Sequence, residues 1–236
     1  MKGRKWMNLF SIENVKLKRG RMAVVSLLFI LTLFAFLSIL GLSAGGQVMF
    51  PNMTTALREI NNSIIWPSCL IFTGVWASKI FVEEFRSKTM MNIWVCGIDR
   101  NRIVLVKLFL ILSIGMLITL LSTLVLNFLL IILAPYMAYA EKGMSFSSHF
   151  SAPFIELVTL NAIYIGITSL LSVSFGMRGY STSTTIIASL VMAVLWASQI
   201  SLQIPGFSTS NIRFILALIS VISVLFLLRR TNRLDF

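Results

Sequence analysis

The residues able to do chemistry in this 236-residue chain are few, and they are crowded together. Glu83 and Glu84 stand side by side in "EEFRSK", residues 83–88, and seven charges fall between Glu83 and Arg102 in a chain with only 12% charged residues. Hydrolytic chemistry at a carboxylate pair inside a membrane needs histidines to bind metal or polarise water, and the chain has one, His149. Cys69 and Cys96 lie about 27 positions apart, too far along a helix rising ~1.5 Å per residue for a disulfide. No Cys/His cluster supports a metal site. No G-x-x-x-x-G-K-[ST] is present, so the chain does not cradle nucleotide phosphates itself. What the charged block offers is a surface. From Val82 to Trp94 the residues Phe85, Thr89, Met90, Ile93 and Trp94 recur at helical spacing, with Glu84, Lys88 and Asn92 as an i, i+4 stripe. Glu84 ahead of Lys88 is the favourable order for a surface pair, worth about 0.2–0.5 kcal/mol. Gly97 and Asp99 break this helix before Arg100 and Arg102. Such a helix fits a docking surface, or simply a basic, partly helical loop.

The elements on either side explain why it must lie in water or at an interface. The chain is 57% hydrophobic, and an ordinary soluble domain carries about twice its charge. About 20 apolar residues cross a bilayer as a helix, and six such stretches are present: Met22–Leu42, Ser63–Val82, Ile103–Leu133, Ile155–Met177, Thr182–Ile204 and Ile212–Leu228. The third is too long for one straight span and is expected to tilt or project. A charge left at the centre of the bilayer costs about 2.5 kcal/mol or more, which expels the 83–102 block from the hydrocarbon. The connecting segments are too short for a soluble domain. The expectation is an all-α polytopic membrane protein, one transmembrane domain over residues 1–236, with a cytoplasmic segment at 83–102.

The basic residues set the orientation. With both termini in the cytoplasm, Lys2 to Arg21, Lys79 to Lys107, Arg178 and the C-terminal arginines all face inward. Only Arg58, Lys142 and Arg213 of the twenty Lys and Arg then lie outside. The excess positive charge is dispersed along one membrane face, where anionic lipid headgroups account for it and nucleic acid is not required. The apolar run after the N-terminus exceeds an ordinary signal-peptide core, and Leu42-Ser43-Ala44 is a poor cleavage site. Within residues 1–21, "WMNLFSIENVKLKRGR" fits a helix lying in the inner interface, or a basic flank that only sets topology.

Glu84, Phe85 and Thr89, followed by Arg100, Ile103 and Lys107, resemble the pattern of the ABC-type-2 exporter permeases, E-[YF]-x-x-[GR]-T then P-x-S-R-x-x-[IV]-x-x-x-K. "ENVKLKRGR" is similar to the E-x-x-K-L-K-R start of these permeases. Lys88 stands where Gly is commoner, Gly97 replaces the usual Pro, and Asp99 replaces Ser. The resemblance implies six spans and a coupling helix between spans two and three that fits a groove of a separate ATP-binding subunit. It places Glu83, Glu84, Phe85, Arg86, Thr89, Trp94 and Arg100 at that contact. It implies no catalytic role and no cofactor for this chain, ATP being held by the partner. A second copy or a different permease would complete the pore in a bacterial plasma membrane.

"EEFRSK" is also close to the E-E-x-x-x-R element of CAAX-type membrane proteases, with Lys88 for Arg. His149, however, falls in a loop expected across the membrane from Glu83 and Glu84, which leaves an intramembrane protease as the remote alternative. Lys79 and Lys107 are expected to snorkel to the inner face and Glu156 to the outer, leaving no buried charged relay. Asn127, Asn161, Thr168, Ser169, Ser172 and Ser174 are read first as helix–helix hydrogen bonding and small-residue packing. A weakly polar membrane interior, in a chain with 12 Met and 18 Phe, suits amphipathic or lipid-like cargo better than a sugar or ion. By resemblance to immunity permeases, the cargo is an amphipathic antimicrobial peptide, a bacteriocin or lantibiotic. Export of a small toxin peptide and drug or lipid efflux are the alternatives.

Overall fold

In lipid every backbone N–H and C=O must find its partner within the protein, and a helix satisfies that demand internally. Each of the six apolar stretches is accordingly helical within the described residues. The structure is a computed structural model and describes residues 19–43, 50–86, 100–136, 140–142, 152–179, 181–197 and 209–231. Within these, α1 is Arg19–Ser43. The next helix runs unbroken through α2 (Met53–Ile60), a π turn (Asn61–Ile65), α3 (Trp66–Ala77), a second π turn (Ser78–Val82) and α4 (Glu83–Arg86). Then come α5 (Arg100–Leu133), α6 (Ala152–Gly179), α7 (Thr182–Ala197) and α8 (Thr209–Thr231).

Gly20–Ser43, Met53–Val82, Arg102–Leu133 and Phe154–Gly179 are long and apolar enough to cross a membrane. α7 is a shorter apolar helix of 16 residues, and residues 198–204 of the fifth expected span lie outside the described residues. α8 has 23 residues. The chain is an all-α polytopic membrane protein. α5 is continuous over 34 residues. At ~1.5 Å per residue it measures about 51 Å, well beyond a hydrocarbon core of ~30 Å. Pro135 follows in a short 3-10 turn, Ala134–Tyr136, as befits a residue that cannot donate to a continuing helix.

α3 and α6 form the centre of the bundle: α6 packs against α3, α5, α7 and α8, and α3 also meets α5 and α7. Small residues permit the close crossings, since lipid offers no hydrophobic drive for helices to associate. A Cβ on Gly115 of α5 would lie 3.3 Å from the Gly166 backbone of α6, and one on Gly74 of α3 would collide with Ser189 of α7. α1 stands at the edge. Leu27, Leu28, Leu31, Ile39 and Leu42 are exposed to the surroundings, while Phe29 stacks on Phe72 of α3 with ring centroids 4.2 Å apart. Apolar side chains all round are what a membrane-facing helix needs.

Three details differ from the sequence reading. Of the residues read as helix–helix hydrogen bonding, Asn127 and Asn161 do bond across helices, but Thr168 and Ser169 donate to carbonyls three or four residues back on their own helix, as Thr73, Thr119 and Ser220 also do. That local bond is always within reach of a short hydroxyl side chain. Ser174 of α6 and Ser223 of α8 do meet across helices, at 3.1 Å. Second, two three-residue strands appear, β1 (Phe50–Asn52) and β2 (Ala140–Lys142), paired in parallel with Phe50 opposite Ala140 and Asn52 opposite Lys142. Pro51, with no N–H to donate, is tolerated because the pair has an edge on both sides. Third, α1 already includes Arg19 to Arg21, so the first span grows directly from the basic cluster. Residues 1–18 of the expected interfacial segment lie outside the described residues.

Candidate functional site

Two polar constellations interrupt the apolar bundle, one at each end of the long second span. The first forms where the second π turn meets α5. Lys107 Nζ donates to the Ile80 carbonyl at 3.0 Å and to Glu84 Oε2 at 2.6 Å. The Lys107 side chain is 0% exposed and that of Glu84 26%. A buried ammonium persists as a charge only when paired and hydrogen-bonded, and these two acceptors meet that need. Ile80 sits in a π turn, whose i→i+5 spacing loosens the helix wall; such turns are frequent at functional sites. Lys107 therefore does not snorkel, and a buried charge pair exists where none was expected. The carboxylate lies one turn beyond the π segment, within reach of a lysine arriving from the start of α5. Lys79 on the same turn is exposed and lies 5.7 Å from the Trp76 ring centroid. Arg178, in the last turn of α6, is also exposed and lies 5.3 Å from that of Phe175.

The second constellation surrounds Arg213, in the first turns of α8. Its Nη1 donates to Asn161 Oδ1 of α6 at 2.8 Å and its Nη2 to Asn62 Oδ1 at 2.7 Å. The guanidinium carbon lies 5.2 Å from the Trp66 ring and 5.0 Å from the Trp196 ring. Trp66 Nε1 donates to Thr123 of α5 at 3.2 Å, and Asn61 Nδ2 donates to Asn127 of the same helix at 3.2 Å. Asn161 is oriented by its own amide nitrogen, which bonds the Leu157 carbonyl at 2.7 Å. Asn61 Oδ1, Asn127 Nδ2 and Trp196 Nε1 are buried without a hydrogen-bond partner. Roughly twenty residues separate Asn62 from Val82, a rise of about 30 Å or one hydrocarbon thickness. The two constellations thus lie about one hydrocarbon thickness apart along the second span.

Residues 9–195 match the family of the ABC-2 family transporter protein. The chain belongs to that family. The "Uncharacterized protein YcbO" of Bacillus subtilis (strain 168) is 26% identical over 220 residues, covering 89% of this chain and 90% of the relative. No solved structure matches. An ABC-2 permease is a membrane subunit that works with a separate ATP-binding subunit, and transport rather than catalysis is its role.

In this ABC-2 permease the residues read from sequence as the ATPase contact are partly placed. Glu83 is exposed and Glu84 half-buried on α4. Phe85 and Arg86 continue α4 and Arg100 opens α5, but their side chains lie outside the described residues. Thr89, Trp94 and Lys88 lie outside them altogether, and with them the expected Glu84–Lys88 pair; Glu84 does pair with Lys107. Glu84 and Lys107, the two ends of the sequence motif, are in contact. Among the described residues no group of three or more His, Cys, Asp and Glu could hold a metal, and Cys69 is buried and free.

The Arg213 constellation was missed by sequence reasoning, which took Arg213 as an ordinary basic residue flanking a span. The signal was present. Asn61, Asn62, Asn127 and Asn161 each fall about a span's length from the basic end of their helix, at the depth where an arginine on a neighbouring span can reach them.

Proposed function

We propose that this permease expels an amphipathic antimicrobial peptide, in the manner of a bacteriocin or lantibiotic immunity system, powered by an ATP-binding subunit docked at α4 and the residues after it. The Lys107–Glu84–Ile80 joint carries this reading. It fastens the proposed coupling segment to the base of α5 and to the wall of the second span, so a push on α4 reaches two spans together. Phe85 supplies the apolar anchor of the ATPase contact, as aromatic hot spots do, and Glu83, Arg86, Thr89, Trp94 and Arg100 frame it. The excess of basic residues at this end supports a cytoplasmic position for it and for both termini, in a bacterial cell. A second permease, identical or different, completes the path.

The bundle's chemistry supports an amphipathic cargo. Thr73, Thr119, Thr168, Ser169 and Ser220 spend their donors on their own helix, while apolar faces accept a peptide's apolar side from the membrane. Cells carrying the permease with an active ATPase are compared with cells whose ATPase cannot hydrolyse ATP, under a panel of bacteriocins. Protection that needs hydrolysis, with less peptide left on the cells, is expected. Equal sensitivity to every peptide, with hydrolysis-dependent resistance to a non-peptide drug, shifts the reading to drug or lipid efflux.

A further inference from the structure

We infer that Arg213, walled by Trp66 and Trp196, binds the phosphate of an anionic membrane lipid at the end of the bundle opposite the coupling segment. The first ground is charge. A guanidinium carries five N–H donors, and the two bonds to Asn161 and Asn62 leave others available. Both partners are neutral amides, which orient the fork but do not neutralise it. At the other end, by contrast, Lys107 is paired with the carboxylate of Glu84. Arg58, one helical turn before Asn62, is exposed and adds a second positive charge on the same side of the helix. A half-buried cation held by amides alone gains most from an oxyanion, because charge-assisted N–H···O⁻ bonds are roughly twice as strong as neutral ones.

The second ground is independent of charge. Trp196 is 4% exposed, its ring touches the guanidinium, and its Nε1–H has no acceptor. A buried donor left unpaired is costly, so a ligand oxygen reaching Trp196 Nε1 and Arg213 together relieves both. The two indole faces also keep water from the guanidinium, which strengthens an ion contact made there.

The third ground is depth. Asn62 lies about one hydrocarbon thickness from Val82, so with Val82 at one boundary of the hydrocarbon Arg213 stands near the other, within reach of a lipid phosphate. A phosphodiester is present there at high local concentration, whereas free phosphate must arrive from water. The site is separate from the proposed peptide cargo and stands whether or not that reading holds.

The test uses the full-length protein in neutral detergent, titrated with short-chain phosphatidylglycerol, short-chain phosphatidylcholine and inorganic phosphate. Bound lipid is counted by native mass spectrometry, and tryptophan fluorescence reports on the site. Saturable phosphatidylglycerol binding with a fluorescence change is expected, about tenfold weaker in Arg213→Gln. Arg213→Lys should retain part of the affinity, since it keeps the charge and loses the fork. Arg178→Gln at the opposite end should bind like wild type. Where Arg213→Gln does not insert, Trp196→Phe decides: it keeps the ring, removes the donor, and should weaken binding several-fold. Wild-type affinity in both Arg213→Gln and Trp196→Phe overturns the site. Arg213-dependent binding of inorganic phosphate without lipid binding overturns the lipid source in favour of a free anion.

Discussion

Lys107 and Arg213 are both basic side chains drawn into the bundle about one hydrocarbon thickness apart, and their surroundings satisfy them in opposite ways. Lys107 has a compact ammonium, held by one carboxylate and one carbonyl at 2.6 and 3.0 Å, and the carboxylate balances its charge. Arg213 has a flat fork that is matched by two amide oxygens and flanked by two indoles, and its charge is left standing. Each lies against a π turn of the same long helix, Ser78–Val82 for Lys107 and Asn61–Ile65 beside Arg213. One end is internally closed, as a mechanical joint should be. The other remains an electrostatic invitation. A buried ion pair is weak evidence for stability, so the reason to keep Lys107 and Glu84 is better sought in what they connect.

The largest effect should come from opening the closed end. Glu84→Ala leaves Lys107 buried without its counter-charge. Breaking a buried pair from one side costs about 3–5 kcal/mol, and the lower end of that range applies because Glu84 is 26% exposed. Detergent-purified Glu84→Ala should unfold at markedly lower temperature and fail to co-purify the ATP-binding subunit. The double variant Glu84→Gln with Lys107→Met removes both charges, so it should regain most of the stability without regaining ATP-driven transport. Full transport in that double variant would make the pair a packing feature only, and the contrast with Arg213 would lose its functional half.

A smaller effect is expected at the open end. Asn161→Ala removes the acceptor of Arg213 Nη1, which keeps its bond to Asn62 and its place between the indoles. One lost hydrogen bond to a charged group is worth about 1.5–3 kcal/mol. The unfolding temperature should fall by less than in Glu84→Ala, and ATPase co-purification should be unchanged. Loss of ATPase binding in Asn161→Ala would mean that the two ends are coupled through the bundle and not separate devices.

The sequence showed the spans plainly because lipid imposes length and apolarity on each one, and α5 even displayed its excess length. It also marked Glu84 and Lys107 as parts of one pattern. That they touch was not legible, because a side-chain bond spanning 23 residues depends on how two helices cross. The π turns leave no compositional mark, since NNSII and SKIFV also suit an α-helix. β1 and β2 are too short for alternation to show, and one of them contains a proline. Arg213 escaped for a different reason. Its position before an apolar run is where any topological anchor would stand, and only three-dimensional packing brings Asn62, Asn161, Trp66 and Trp196 around it.

The smallest effect should come from Lys79, which tests whether burial rather than mere location makes a basic residue matter. Lys79 shares the π turn with Ile80 and lies at the same end as Lys107, but it is exposed and its recorded contact is the Trp76 ring at 5.7 Å. An exposed cation–π contact near the ~6 Å limit contributes little, and the ammonium of Lys79→Ala would be replaced by lipid or water without leaving a buried group unpaired. The unfolding temperature, ATPase co-purification and transport of Lys79→Ala should therefore match wild type within error, while Glu84→Ala in the same assay fails. If Lys79→Ala instead loses transport to the same degree, the whole charged rim rather than the buried joint carries the coupling. The Lys107–Glu84 contact would then be one pair among several equivalent charges, and the difference between the two ends would reduce to which face is more basic.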